Sequence, residues 1–532
     1  MGQLTLLFVL GLGAVLTVPL GDRWAVPSPV LMTLLGGVLA ILPFVPAIEF
    51  PPELILPLVL PPLLYAAAQR TSWRQFLANV RPILLLAVAL VFVTTAAVAA
   101  VAQLVVPGLP LAPAIALGAL VAPPDPVAAT AVAGRIGLPR RMVSILEGEG
   151  LFNDVTAITL YHVAVAAAVS GSFSALGAGA ELVLSAVVAI VVGLVLGWAT
   201  ARLLDLLGDA TLRTGLSVLV PFASYTLAEE LRGSGVLAVL VCALFLADWA
   251  ADPDDVSGRI TGRSFWAVID TLVTGIAFGL IGLELSVVFG TVTDRWRELL
   301  PAAALVLATL VVVRLLWLLP AAWVARRLHR PDYVEEIPLT WRETMVIWWA
   351  GIRGVVTVAL VLALPFEVDG GGDFPERDAI VFVAFAAVIG TLLIQGLTLP
   401  WLAGRLGVEA DTSAEERLEH ELAVRAAKAA KRRLREIESR PDVPEELIDA
   451  LAKRAYDIGA RISPRVAQEE RRETVRARVH RLRQLHSLYG ELLSAARHEV
   501  LEARREPGAD PEVVDRVLRE LDQRSMPHHG GP

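Results

Sequence analysis

The sequence predicts an all-α polytopic membrane protein with about 13 transmembrane helices and a charged helical tail. The 532-residue chain is 55% hydrophobic, and its mean hydropathy is +0.62. Only 19% of its residues are charged, and most of these follow residue 405, whereas a soluble domain has about 25%. We therefore expect a membrane domain over residues 1–404 and a cytoplasmic, charged helical tail over residues 405–532, for which regulation is one candidate role.

Apolar runs separated by polar loops define the predicted spans. The thirteen runs cover 3–20, 24–45, 53–69, 82–106, 110–133, 142–169, 180–204, 211–228, 234–251, 265–289, 299–324, 343–365 and 378–403. An odd number of spans places the termini on opposite sides, and most loop arginines lie on the side of the tail. Because arginine-rich loops face the cytoplasm, we expect a multi-pass membrane protein whose C-terminus is cytoplasmic.

Two of the predicted spans are interrupted. In VAPPDPVAAT, three prolines, among them Pro124, surround Asp125 and cannot all continue a helix. In WWAGIRGVVTV, glycines flank Arg353 and permit unwinding. The interruptions are seven spans apart, as an inverted repeat requires, and such broken helices indicate the binding site of a secondary transporter. We expect Asp125 to neutralise the positive half-helix ends and Arg353 the negative ones.

A third polar segment, EGEGLFNDV (147–155), interrupts an otherwise apolar run. Glu149 and Asn153 share one helix face, and Asp154 lies beside Asn153. A short loop joins this span to the first broken one, so we expect Asp154 to meet carbonyl oxygens freed at the break, including that of Pro124. Carboxylate, amide and carbonyl oxygens suit a small hard cation, and a proton competes for the same carboxylate. Glu149 requires a buried partner, and Arg314 is the candidate.

The other polar features have simpler explanations. Glu147, Glu284 and Glu343 lie near span ends, where we expect them to reach the membrane interface. The tail combines helix-forming residues with charges at i,i+4 spacing, broken by PDVPEE. It is interpreted as a solvated helical appendage, with dimer contact and regulation of transport left open as alternatives.

Five stretches carry a resemblance to a known family: LGALVAPPDPVAATAV, EGEGLFNDVTAITLY, GSGVLAVLV, FGLIGLEL and GIRGVVTVAL. Over roughly residues 5–404 the chain resembles the monovalent cation:proton antiporter-1 family, the Na+/H+ exchangers. The resemblance implies thirteen helices, with a core domain containing two crossed broken helices and a separate dimerisation domain. It also implies a homodimer in the lipid membrane, elevator-like alternating access, and transported Na+ and H+ without a cofactor.

The resemblance also implies roles for individual residues. Asp154 matches the aspartate that carries cation and proton, and Asn153 matches its asparagine neighbour. Asp125 and Arg353 match the charges at the helix crossing. The core ion pair of the family corresponds to Glu149 and Arg314.

Departures from the family pattern bear on stoichiometry and cation choice. An Asn-Asp pair resembles the electroneutral branch, and all three lysines lie in the tail, so the membrane lysine of electrogenic relatives is absent. Tyr65, Pro124 and Gly150 stand where relatives have side chains with a possible oxygen ligand. The choice between Na+, Li+ and K+ therefore stays open.

Three functions remain after this comparison. The first is a secondary active exchange of Na+ or Li+ for H+, and the second is K+/H+ exchange. The third, of another class, is a non-transporting membrane sensor with a signalling tail. An enzyme is not expected, because the aspartate motifs of intramembrane proteases, Tyr-Asp and Gly-x-Gly-Asp, do not occur within the spans. Nothing in the sequence suggests binding of nucleic acid.

Overall fold

The computed structural model describes residues 3–24, 26–43, 45, 52–69, 85–125, 129, 137–171, 175–249, 256–292, 295–328, 340–369, 371–408 and 412–439. The chain divides into two compact units, Met1–Ala410 and Asp411–Pro532. In the described part, the first unit is helical apart from one short hairpin, and the second contributes a single helix.

The first half of unit one contains α1 (Gln3–Trp24), α2 (Ser28–Ile41), α3 (Pro52–Ala68), a π-helical turn (Leu85–Ala89) leading into α4 (Leu90–Val105), α5 (Leu111–Val121), α6 (Arg140–Ser170) and α7 (Ala175–Leu206). The second half contains α8 (Ala210–Glu230), α9 (Gly235–Trp249), α10 (Val256–Thr291), α11 (Trp296–Leu328), α12 (Trp341–Trp349), α13 (Val355–Leu362) and α14 (Arg377–Leu406). Strands β1 (Glu367–Val368) and β2 (Gly372–Asp373) pair antiparallel between α13 and α14.

Seven described helices are long and apolar enough to cross a membrane, which confirms a helical, multi-pass membrane protein. They lie in α1, α4, α6, α7, α10, α11 and α14. Large apolar side chains such as Phe8 and Leu104 are exposed on the protein surface, as expected where lipid tails replace water. The total of thirteen spans stays a prediction, because the other apolar helices are shorter or less apolar.

Glycines allow α2 and α10 to pack at very close range. A Cβ atom at Gly36 would lie 2.0 Å from the carbonyl oxygen of Gly279, and one at Gly282 would lie 2.1 Å from that of Thr33. The Thr33 hydroxyl also donates a hydrogen bond across the interface to the carbonyl of Phe278 (3.2 Å). Small residues at membrane helix contacts permit such backbone approach, so this interface is sensitive to any added side-chain atom.

The predicted break in span 343–365 appears as a non-helical segment, 350–354, between α12 and α13. In span 110–133, α5 ends at Val121 and residues 122–125 are non-helical. Beyond Asp125 the structure describes only Ala129 before Gly137, so the second half of this span lies outside the described residues. The two non-helical segments lie side by side, because the Asp125 N–H donates to the Ile352 carbonyl (2.6 Å).

Glu343, which the sequence analysis placed near a span end, caps the start of α12. It is 6% exposed and forms a capping box with Thr340 at the start of α12. The Thr340 N–H donates to the Glu343 carboxylate (2.7 Å), and the Glu343 N–H donates to the Thr340 hydroxyl (3.3 Å). This reciprocal arrangement satisfies backbone donors that a helix start leaves unpaired.

The described part of unit two is α15 (Thr412–Glu438). It coincides with the first helical stretch that the charge pattern of the tail predicts. The second predicted stretch, roughly 464–504, lies outside the described residues.

Candidate cation site

Arg353 binds the carboxyl end of α5, the half-helix that precedes the first break. Its Nε donates to the carbonyl of Val121 (2.8 Å) and its Nη2 to that of Ala122 (3.1 Å). Its Nη1 donates to the carbonyl of Gly351, and the whole side chain is only 3% exposed. The last carbonyls of a helix have no partner within it and carry negative partial charge. The guanidinium therefore supplies both the missing donors and the opposite charge.

Asp125 binds the amino end of α13, the half-helix that follows the second break. Its Oδ2 accepts a hydrogen bond from the N–H of Val355 (3.1 Å), the first residue of α13. That end of a helix carries positive partial charge and favours a carboxylate. The two charges at the breaks thus face half-helix ends of opposite sign.

Two further residues hold this crossing in place, and the sequence analysis missed one of them, Thr391. A Cβ atom at Gly354 would lie 1.6 Å from Oδ2 of Asp125, so only glycine leaves room for the carboxylate. The hydroxyl of Thr391 on α14 accepts a hydrogen bond from the backbone N–H of Arg353 (3.0 Å). The glycine was visible in the sequence as a helix breaker. No motif links Thr391 to a residue 38 positions away.

Asn153 and Asp154 are both buried, at 0% and 5% exposure. The Asn153 Nδ2 donates to the carbonyl of Pro124 (3.1 Å), which fixes the orientation of the amide because a carbonyl only accepts. Asn153 Oδ1 consequently has no hydrogen-bond partner within the described residues. The Pro124 carbonyl therefore meets the amide of Asn153, the residue next to Asp154.

The carboxylate of Asp154 makes no hydrogen bond with any described residue. Asp125 is a second buried carboxylate, at 8% exposure. Two buried carboxylates near one another favour a positive charge between or beside them. The free amide oxygen of Asn153 offers a neutral oxygen on the neighbouring residue of α6.

Glu149 and Arg314 form a bidentate ion pair in the interior. Arg314 Nη2 donates to Glu149 Oε2 (2.8 Å) and Nη1 to Oε1, with side-chain exposures of 3% and 1%. Arg314 Nε and Nη2 also donate to the carbonyl of Ile347 in the last turn of α12 (3.3 and 3.2 Å). Arg314 therefore links α6, α11 and the carboxyl end of α12, the half-helix that precedes the second break.

Of the positions where the family resemblance implies a further ligand, Tyr65 is engaged elsewhere. Its ring lies against that of Trp266 on α10, with 4.7 Å between the ring centroids. Gly150 is buried within α6 and has no side chain to offer. The described site is thus built from α5, α6, α11, α12, α13 and α14.

A sequence profile of the transmembrane sodium/hydrogen exchanger matches residues 6–405. The chain belongs to the sodium/hydrogen exchanger family. This confirms the resemblance drawn from the five sequence stretches, and it makes the chain a transmembrane protein of a family of cation/proton antiporters.

The similarity to known relatives covers most of the chain. The uncharacterized Na(+)/H(+) exchanger YjcE of Escherichia coli K12 is 33% identical over 420 residues, covering 76% of each chain. The sodium, potassium, lithium and rubidium/H(+) antiporter of Bacillus subtilis 168 is 32% identical over 392 residues, covering 71% of this chain and 58% of the relative. The solved structure of the sodium proton antiporter MjNhaP1 from Methanocaldococcus jannaschii shares the fold, with a TM-score of 0.59 and 20% identity over 76% of this chain and 99% of that one.

Proposed function

We propose that this exchanger carries Na+ or Li+ in one direction and H+ in the other, with Asp154 binding the two in turn. The observation that carries the proposal is the pair of buried oxygen groups on α6. The Asp154 carboxylate has no hydrogen bond with any described residue, and Asn153 Oδ1 has no partner there either. Oxygen ligands of this kind suit small hard cations, and a proton neutralises the same carboxylate.

Competition for one carboxylate is sufficient for coupled exchange. The site carries the cation one way with Asp154 ionised and returns with Asp154 protonated. Asn153 cannot take up a proton at its amide, and Asp125 is bound to the N–H of Val355. One titrating group then moves one proton per cation, so we infer electroneutral one-for-one exchange.

The proposal includes an architecture for the transport cycle. Thirteen spans arranged as an inverted repeat, with the two broken helices crossed, form core and dimerisation subdomains within residues 1–404. The exchanger acts as a homodimer in the plasma membrane by alternating access. The tail, residues 405–532, is a cytoplasmic, charged helical appendage, with dimer contact and regulation of transport as its alternative roles. Support comes from the family membership, the MjNhaP1-like fold and the paired breaks.

K+/H+ exchange is the second candidate. The Bacillus subtilis relative is named for sodium, potassium, lithium and rubidium. In this chain Tyr65, Pro124 and Gly150 provide no acidic or aliphatic hydroxyl ligand. A site with fewer fixed ligands discriminates less sharply between cations of different size.

Proton flux in proteoliposomes tests both candidates. A pH-sensitive dye reports the response to NaCl, LiCl or KCl, with and without a clamped membrane potential. Asp154→Asn is compared with Asp205→Asn, a change of an exposed aspartate on α7.

The expected result is a Na+ or Li+ response that is insensitive to potential, absent in Asp154→Asn and retained in Asp205→Asn. A response to K+ alone would change the substrate and keep the mechanism. Exchange retained in Asp154→Asn would remove this residue from the carrier role. Folded wild-type protein that responds to no cation over a pH series would favour the sensor.

A further inference from the structure

A buried hydroxyl in the second broken helix is left unused by the fold. Thr357 on α13 is 1% exposed, and its Oγ1 has no hydrogen-bond partner among the described residues. Threonines within helices commonly donate to the carbonyl four residues earlier. Thr391 does so to Ala387 (2.9 Å) and Thr159 to Val155 (2.7 Å). Thr357 makes no such bond: the residue four positions earlier, Arg353, lies in the non-helical segment before α13.

The position of Thr357 in α13 places it at the helix crossing. Gly354 is the N-cap of α13, and Thr357 is the third residue after it. A side chain at that position lies beside the N-cap, as the geometry of capping boxes shows. The carboxylate of Asp125 lies against the Cα of Gly354 and binds the N–H of Val355. Thr357 therefore belongs to the turn of α13 that binds Asp125.

The α6 side of the crossing contains a matching unpaired oxygen. Asn153 Oδ1 is buried without a partner in the described structure, and the same amide is tied to the carbonyl of Pro124, which precedes Asp125. Helix α13 packs against both α5 and α6. Two neutral oxygens, one on α6 and one on α13, thus have no partner among the described residues, and they belong to helices that pack against each other.

A dehydrated cation needs such oxygens. An ion that leaves water requires replacement ligands, and hydroxyl, amide and carboxylate oxygens serve hard monovalent and divalent cations alike. Buried polar atoms in native proteins are otherwise nearly always hydrogen-bonded. An unpaired hydroxyl next to a candidate cation site is therefore explained if a ligand completes its bonding.

We propose that the hydroxyl oxygen of Thr357 is a further ligand of the transported monovalent cation. The inference rests on the proposed function, since it requires a cation at Asp154. Thr357 supplies a hydroxyl oxygen from α13, whereas Pro124 and Gly150 have no hydroxyl group to offer. Thr357 thereby contributes to cation affinity and not to proton binding.

The test compares Thr357→Val, which keeps the shape and removes the hydroxyl, with Thr357→Ser, which keeps the hydroxyl. Thr309→Val is the matched control, because the exposed Thr309 hydroxyl bonds only to the carbonyl of Leu305 in its own helix. Apparent KM and maximal rate for Na+, Li+ and K+ are measured in proteoliposomes. The increase in melting temperature on adding each chloride salt, relative to choline chloride, measures cation binding without transport.

We expect Thr357→Val to raise the apparent KM by roughly 3–10-fold, the loss of one neutral ligand bond. Its maximal rate should stay near that of the wild type, and its cation-dependent melting shift should shrink. Thr357→Ser should restore both values, and Thr309→Val should change neither. Thr357→Cys, in which a poorly coordinating sulfur replaces the oxygen, should reproduce the raised KM if the valine variant does not fold.

Several outcomes would contradict the assignment. An unchanged KM and melting shift in Thr357→Val would show that the hydroxyl is not a ligand. A higher melting temperature without cation, together with an unchanged KM, would identify an unpaired core hydroxyl and nothing more. Wild-type protein that neither exchanges nor binds any cation would reject the proposed function and this ligand with it. Normal wild-type exchange with an unaffected valine variant would reject only the role of Thr357.

Discussion

The buried pair of Glu149 and Arg314 makes a quantitative prediction about stability. Removing one partner of a buried ion pair leaves an uncompensated charge and costs about 3–5 kcal/mol, whereas replacing both with apolar residues is often neutral. Arg314 also provides two donors to the carbonyl of Ile347, and an orphaned carbonyl costs about 1–3 kcal/mol. The double variant Glu149→Leu/Arg314→Met should therefore lose about 1–3 kcal/mol, far less than the sum of the two single changes.

The assay is denaturant unfolding of purified protein in detergent, followed by the fluorescence of its 12 tryptophans. Arg295→Met is the control, because the ion pair of Arg295 and Glu376 (3.0 Å) has side-chain exposures of 50% and 24%. Exposed pairs contribute about 0–1 kcal/mol. Additive losses in the double variant, or an Arg314→Met variant as stable as Arg295→Met, would refute the reasoning.

The remaining predictions concern packing and the helix crossing. Gly282→Ala places a Cβ atom 2.1 Å from the Thr33 carbonyl oxygen, and the forced separation of α2 and α10 should cost about 1–3 kcal/mol of unfolding free energy. Gly290→Ala in the same helix meets no atom within 4 Å, so thermal unfolding should show no loss; equal losses would show that the contact does not matter. Arg353→Ala leaves the α5 carbonyls without donors, and we expect loss of monodisperse protein or of proton flux. Arg353→Lys should rescue it only in part, since an ammonium lacks the planar fork that reaches several carbonyls; full rescue would mean that charge alone suffices.

Periodicity and composition were sufficient to predict much of this fold. Long apolar runs are required to cross a bilayer, and the seven helices that meet that requirement in the described structure follow those runs. Glycines around Arg353 lower the cost of leaving helical geometry, and α12 ends before that residue. The sequence was sufficient to single out Asp125 and Arg353 at the two breaks, because few other ionisable residues lie within the predicted spans.

The contacts between helices could not be read in the same way. Glu149 and Arg314 are 165 positions apart, and the sequence suggested their pairing only because each lacked another partner. The additional bonds from Arg314 to the Ile347 carbonyl, and from the Arg353 N–H to the Thr391 hydroxyl, depend on how α11, α12 and α14 pack. No local pattern encodes such distances.

The sequence by itself thus determined a helical membrane protein with two broken spans and a polar segment beside the first of them. These features depend on residues only a few positions apart in the chain, so the sequence pattern of a single helix is sufficient to predict them. Tertiary structure alone decided that the Asn153 amide binds the Pro124 carbonyl, and that Gly354 must lack a side chain where Asp125 meets α13. An amide or carboxylate bonds with the donors and acceptors within about 3 Å, and only the packing of distant helices sets which atoms those are.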